Sequence, residues 1–158
     1  MTRPDEAART AQVTARAEKV INAPARAIWE ALTTPAMIKK YFFGADVESD
    51  WKVGSRIRWS GEFKGKRYQD KGEILIANPD RELSMSHWSP LSGQADAPEN
   101  HHVVTYRLEP DGKRTKVILT QSNLRGGVKP ADVDKRAEYE KNWTMVLENL
   151  DKVVGSKS

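Results

Sequence analysis

Three side chains in this chain can change charge near neutral pH: His87, His101 and His102. His87 falls in a run where Leu83, Met85 and His87 share one strand face. It is therefore placed to orient a ligand or to act as a general acid or base. No carboxylate stands at a useful position to pair with it, and a hydrogen-bonded inner histidine is the plainer reading. His101 and His102 are adjacent, so on a strand they point to opposite faces and cannot chelate one metal together. The chain has no cysteine, which removes a thiol nucleophile, a thiolate metal site and a disulfide framework. With no H-x-x-x-H pair and no clustered carboxylates, neither a metal nor another cofactor is expected. A G-x-S-x-G elbow, a phosphate loop and a dinucleotide fingerprint are also absent; Gly126-Gly127 lacks the flanking pattern.

Such sparse polar chemistry needs a scaffold to gather it, and the scaffold is legible. Pro130 to Val154 reads as one amphipathic helix, with Tyr139, Trp143, Val146, Leu147, Leu150, Val153 and Val154 recurring at spacings of three and four. Pro130 suits a first helical turn, Asp132 and Asp134 favour its positive end, and Gly155 is expected to end it at positive φ. Val13 to Ile21 is a first strand. Ala25 to Leu32 is a short helix with Ile28, Trp29 and Leu32 on one face. Pro35 opens a second one carrying Met37, Ile38, Tyr41 and Phe42.

After Gly44 the apolar period changes from about 3.6 to 2. Asp46–Ser49 is a short strand. Ile57 and Trp59, then Gly72, Ile74 and Ile76, then Leu83, Met85 and His87 alternate with polar residues. So do Val104, Tyr106 and Leu108, and finally Thr115, Val117 and Leu119. A turn at Lys64-Gly65 pairs Ile57 with Gly72. A turn at Pro79-Asp80 pairs Ile74 with Met85 and Ile76 with Leu83. A turn at Asp111-Gly112 pairs Leu108 with Thr115 and Tyr106 with Val117. All three registers put the inward sets together, as one buried face requires. The expected fold is α+β: a curved antiparallel sheet of six or seven strands around the terminal helix. Residues 1–11 read as a flexible segment, 12–155 as the domain and 156–158 as a tail.

The same registers place Trp59, Gly72, Met85, His87, Val104, Leu119 and Gln121 toward one end of the inward face, where Tyr139 and Trp143 should meet them. The opposite end, with Ile57, Ile76, Leu83, Leu108 and Val117, reads as aliphatic core. The Pro90–Asn100 loop is expected at the mouth of the first end.

Composition narrows the partners. The 158 residues are 38% hydrophobic and 30% charged, a globular balance. A net charge of +4 is spread among interspersed acids and bases, so no nucleic-acid partner is expected. No run reaches the roughly 18 apolar residues of a membrane span, and the start has no apolar signal core. A cytoplasmic location fits both facts.

The order NAPARAIWEALTTP, YFFG, WKVGSRIRW, GEILIANPDRELSMSHW, VVTYRLEPDGKRTKVILTQSN and NWTMVLENLDKVV resembles the Hsp90-ATPase-activator-homologue-like proteins of the START-like (SRPBCC, Bet v 1-like) helix-grip superfamily. The resemblance runs from residue 13 to 154. It implies a cavity between helix and sheet for a small hydrophobic or aromatic molecule. Trp59, Tyr106 and Trp143 would give shape and stacking there, Met85 adaptable packing and His87 orientation. It also implies two alternatives, a cyclase- or hydrolase-like enzyme using the same cavity and a co-chaperone-type interaction module. The length leaves no room for the co-chaperones' second domain, so an Hsp90 interaction is not expected. A homodimer remains open.

Overall fold

A computed structural model describes residues 13–155. The expectations for residues 1–11 and 156–158 lie outside the described residues. Seven strands form one antiparallel sheet: β1 (Ala15–Ile21), β2 (Asp46–Ser49), β3 (Arg56–Phe63), β4 (Lys66–Asn78), β5 (Glu82–His87), β6 (His102–Asp111) and β7 (Arg114–Asn123). Their spatial order is β1-β7-β6-β5-β4-β3-β2, a meander from β2 to β7 closed by β1 at the far edge. Two short helices follow β1, α1 (Ala25–Thr33) and α2 (Pro35–Tyr41), and α3 (Pro130–Val154) follows β7. This is the helix-grip arrangement expected from the periodicity.

The hairpins show where local chemistry sets the register. Lys64 (φ 51°) and Gly65 (φ 81°) make a two-residue turn, and Ile57 stands opposite Gly72 as expected. At the β6–β7 turn the loop is Gly112-Lys113 rather than Asp111-Gly112, because Gly112 alone takes positive φ (63°), in the first central position. That single step moves every pair by two. Leu108 faces Val117, Tyr106 faces Leu119 and Val104 faces Gln121, and the inward faces are unchanged. The β4–β5 loop has three residues, Pro79 to Arg81, and a bulge between Ile74 and Ile76 absorbs the extra one. Ile74 therefore keeps Met85, but Ala77 rather than Ile76 faces Leu83.

The concave face is the core. Ile57, Ile74, Leu83, Val117 and Leu119 pack with Val146, Leu147 and Leu150 of α3 and with Ile28, Leu32 and Tyr41 of α1 and α2. The C-terminal half of α3 is held by this packing. Its middle is clasped to the edge strand: Arg136 Nε donates to Thr14 O at 2.7 Å, and Arg16 N–H donates to Glu140 Oε2 at 2.9 Å. These side chains occupy edge groups of β1 that would otherwise be open to another chain. Gly155 ends α3 at φ −61°, not at positive φ. Its need is space, since a Cβ there would lie 2.4 Å from Asp151 O.

Pro35 has no N–H to give Ala31 O, four residues earlier in the chain. The Tyr41 hydroxyl donates to that carbonyl at 3.0 Å, and its ring is 2% exposed. Burial pushes the phenol well above its ordinary pKa, so it remains a donor. Tyr41→Phe should cost about 1–2 kcal/mol in urea unfolding, because it strands a buried carbonyl. A change below a few tenths would show that water replaces the hydroxyl.

Candidate functional site

At the end where α2 and Trp143 of α3 meet the sheet, the core does not close completely. The space left there is about 30 Å³, the volume of roughly one water. Trp59, Met85, His87, Val104, Tyr106 and Trp143 line it, all expected on this face. Leu119 and Gln121 are buried but stand behind the wall. Gln121 has a supporting place instead: its Oε1 accepts from Trp143 Nε1 at 2.8 Å and holds the indole across the opening. Tyr139 is elsewhere, edge-on to His102 with ring centroids 6.0 Å apart. One helical turn separates it from Trp143, but the N-terminal half of α3 runs past the cavity.

Sequence pattern missed the other side of the wall. Ile38, Tyr41 and Phe42 come from α2 and its end, Val47 from β2 and Trp51 from the β2–β3 connection. Ile57 and Leu83, assigned to the aliphatic end, also reach the space. Their parity was legible; the position of α2 against the sheet was not. The Phe42 ring lies 6.1 Å from that of Trp143, and the two flank the opening. Phe43 (φ 51°) and Trp51 (φ 60°) both take the left-handed conformation that bulky residues rarely adopt. Strain of this kind, of order 1–3 kcal/mol per residue, collects where backbone surrounds a ligand or moves.

Two polar groups interrupt the apolar wall. His87 Nε2 is 2.8 Å from Asp70 Oδ2, so the histidine does have a carboxylate partner. The expected register contained it: Gly72 lies opposite His87, and Asp70 is the next inward residue, reaching diagonally over a glycine with no side chain. The Asp70 Oδ1 atom is buried without a hydrogen-bond partner. The His87 ring also meets the Trp59 ring edge-on at 5.0 Å. The second polar group is the Tyr106 hydroxyl, which burial keeps protonated by raising its pKa far above the ordinary phenol value.

A separate polar crevice of about 100 Å³ lies at the N-terminus of α3, between Asn100, His102, Lys129, Asp132 and Tyr139. The Pro90–Asn100 loop borders this crevice through Ser92, Gln94 and Asn100, and none of its residues lines the apolar cavity. Asp96 fastens the loop to Lys71 and to His101 Nε2. His101 and His102 do face opposite ways: His101 stacks on Trp88, and His102 turns to Tyr139 and Asp132.

Burial would raise the Asp132 carboxyl, but hydrogen bonds from Asn123 Nδ2 (2.8 Å) and Lys129 N–H (3.1 Å) outweigh it and hold its pKa below the ordinary range. Burial also lowers the His102 pKa, and Asp132, 3.5 Å away, offsets that only in part. A histidine with a lowered folded pKa binds protons more weakly folded than unfolded. Its contribution is therefore present above the unfolded value of about 6.5 and is lost as pH falls below it. His102→Gln should flatten the decline in stability between about pH 7 and pH 5 in urea titrations. An unchanged decline would remove His102 as its source.

Comparisons with known proteins agree with this architecture. A family model described as "Activator of Hsp90 ATPase homolog 1-like protein" matches residues 22–155. The solution structure of a protein from Cytophaga hutchinsonii is 48% identical, with a TM-score of 0.71, and the match covers 87% of this chain and 90% of that one. The solution structure of an Aha1 dimer from Colwellia psychrerythraea is 22% identical, with a TM-score of 0.67, covering 89% of this chain and 95% of that one. The crystal structure of DynU16, from the dynemicin biosynthetic locus, is 17% identical with a TM-score of 0.69, covering 87% of this chain but 45% of that one. At these last two identities the likeness is one of fold. A search of curated proteins finds no match. With the model match spanning most of its length, this chain belongs to the family of activator of Hsp90 ATPase homolog 1-like proteins.

Proposed function

We propose that this protein binds a small hydrophobic or aromatic molecule between α3 and the sheet, against Trp59, Met85, Val104, Tyr106 and Trp143. The observation that carries this reading is the composition of the wall around the unfilled space: aromatic and apolar, with His87 and Tyr106 as its polar points. Small-molecule sites have this make-up, an apolar and aromatic wall with a few placed polar groups. A space of about 30 Å³ holds no such ligand, so this reading requires the site to open. Binding requires the Trp143 and Phe42 rings to part, and the strained backbone at Phe43 and Trp51 supports movement there. Leu119, Gln121 and Tyr139 then act behind or beside the ligand rather than on it.

The test is direct, because Trp51, Trp59 and Trp143 all line the space. Toluene, indole and naphthalene should each change tryptophan fluorescence saturably and raise the melting temperature. No saturable change and no shift up to their solubility limits would overturn the reading. A second reading, turnover of the ligand, is favoured by one observation, the Asp70–His87 hydrogen bond at the cavity wall. It needs a proton to move at that pair.

A further inference from the structure

We infer that the ligand is an aromatic molecule carrying an ionisable hydroxyl, and that the Asp70–His87 pair is the site that takes its proton. The inference rests on the cavity reading above and adds the chemistry of the ligand to it. Asp70 Oδ2 accepts from His87 at 2.8 Å, so Nε2 carries the ring proton. In the neutral ring the other nitrogen, Nδ1, is then the basic one, and it makes no hydrogen bond among the described residues. The ring that bears it lines the cavity and is steadied edge-on by Trp59 at 5.0 Å.

On a side chain 29% exposed at the cavity wall, that nitrogen is open to a polar partner that a hydrocarbon does not supply. A hydroxyl on an aromatic ring supplies one, while the ring occupies the surface of Trp59, Met85 and Trp143. Proton transfer then breaks the ligand O–H bond, leaves its electron pair on oxygen and forms an N–H bond at Nδ1. The imidazolium that results is compensated on one side by the Asp70 carboxylate and on the other by the new phenolate. No further reactant is required. A carboxylate fixing the opposite nitrogen sets the tautomer of the ring and the direction of the free one.

4-Nitrophenol and nitrobenzene separate the two layers of the argument, since they differ by one hydroxyl and the phenolate of the first is coloured. Wild-type protein should bind both and prefer 4-nitrophenol by about tenfold or more. The bound probe should absorb as phenolate at a pH where the free probe is mostly neutral. In His87→Gln and Asp70→Asn the preference, read as the ratio of the two affinities within each variant, should fall to about twofold or less and the phenolate band should be lost. Retained nitrobenzene binding certifies that the cavity is intact in the variants. Equal binding of the two probes by the wild type, without a phenolate band, overturns the inference and leaves the cavity reading standing. Binding of neither probe overturns both. A preference and band that survive His87→Gln overturn the assignment of the proton to His87.

Discussion

Gly72→Ala should lose on the order of 3 kcal/mol or more of stability, far beyond an ordinary glycine substitution in a strand. The reason is contact, not conformation. A Cβ at this position would lie 1.8 Å from Ser86 O and 2.7 Å from Ser86 C, both backbone atoms of the neighbouring strand. No rotamer change relieves a clash of that kind. The ladder between β4 and β5 is already interrupted here, for Glu73 N–H donates to Ser86 Oγ at 2.9 Å. Regular pairing resumes on one side at Ile74–Met85, with an isolated bridge, Lys71–Trp88, on the other. Forcing the strands apart would break the Lys71–Trp88 bridge and move Asp70 away from His87. Gly61→Ala is the matched control. Its Cβ would meet the Tyr68 hydroxyl at 2.8 Å, the far end of a side chain that can swing away. That variant should lose about 1 kcal/mol or less. Urea midpoints for the two decide the matter, and a Gly72→Ala loss no greater than the control would show that β4 and β5 separate cheaply.

The same two strands show how far the sequence could be read. Face parity was legible except past the bulge in β4, where Ala77 takes the inward place expected of Ile76; elsewhere period-2 alternation survives a register error of two residues. The exact pairs depended on turn chemistry that one dipeptide does not specify. Asp-Gly at 111–112 allows a turn with glycine second, but the chain uses glycine first, and Val104 meets Gln121 instead of Leu119. The bulge at Leu75 left no signature either, since Ile74, Leu75 and Ile76 are all apolar and any of them could turn inward. The cavity was half legible. Its sheet wall followed from alternation, but its helical wall depends on how α2 docks, and a seven-residue helix carries little directional information. Asp70 is the instructive omission. The expectation was that no carboxylate stands at a useful position, and the residue directly across from His87 is indeed a glycine. The diagonal position became available only because that glycine has no side chain to block it.

Trp143→Ala should have opposite effects on the apo protein and on its capacity for small molecules, and that opposition tests the cavity. The indole is half-buried, leans on Phe42 at 6.1 Å and donates from Nε1 to Gln121 Oε1 at 2.8 Å. Its removal takes away aromatic packing and leaves the amide of Gln121, a residue 4% exposed, without its donor. Together these should cost about 3 kcal/mol in urea unfolding. Trp143→Phe loses the hydrogen bond but keeps a ring, and should cost about half as much. The alanine variant also turns a space of about 30 Å³ into one large enough for a single aromatic ring. Apolar cavities of that size stay dry and accept benzene-like molecules. Saturating toluene should therefore raise the melting temperature of Trp143→Ala more than that of the wild type, where the ring must first be displaced. Equal shifts would place the toluene site away from Trp143. No shift in the variant would mean that α3 settles onto the sheet once the indole is gone, and the indole would then be a filler of the core rather than the door to it.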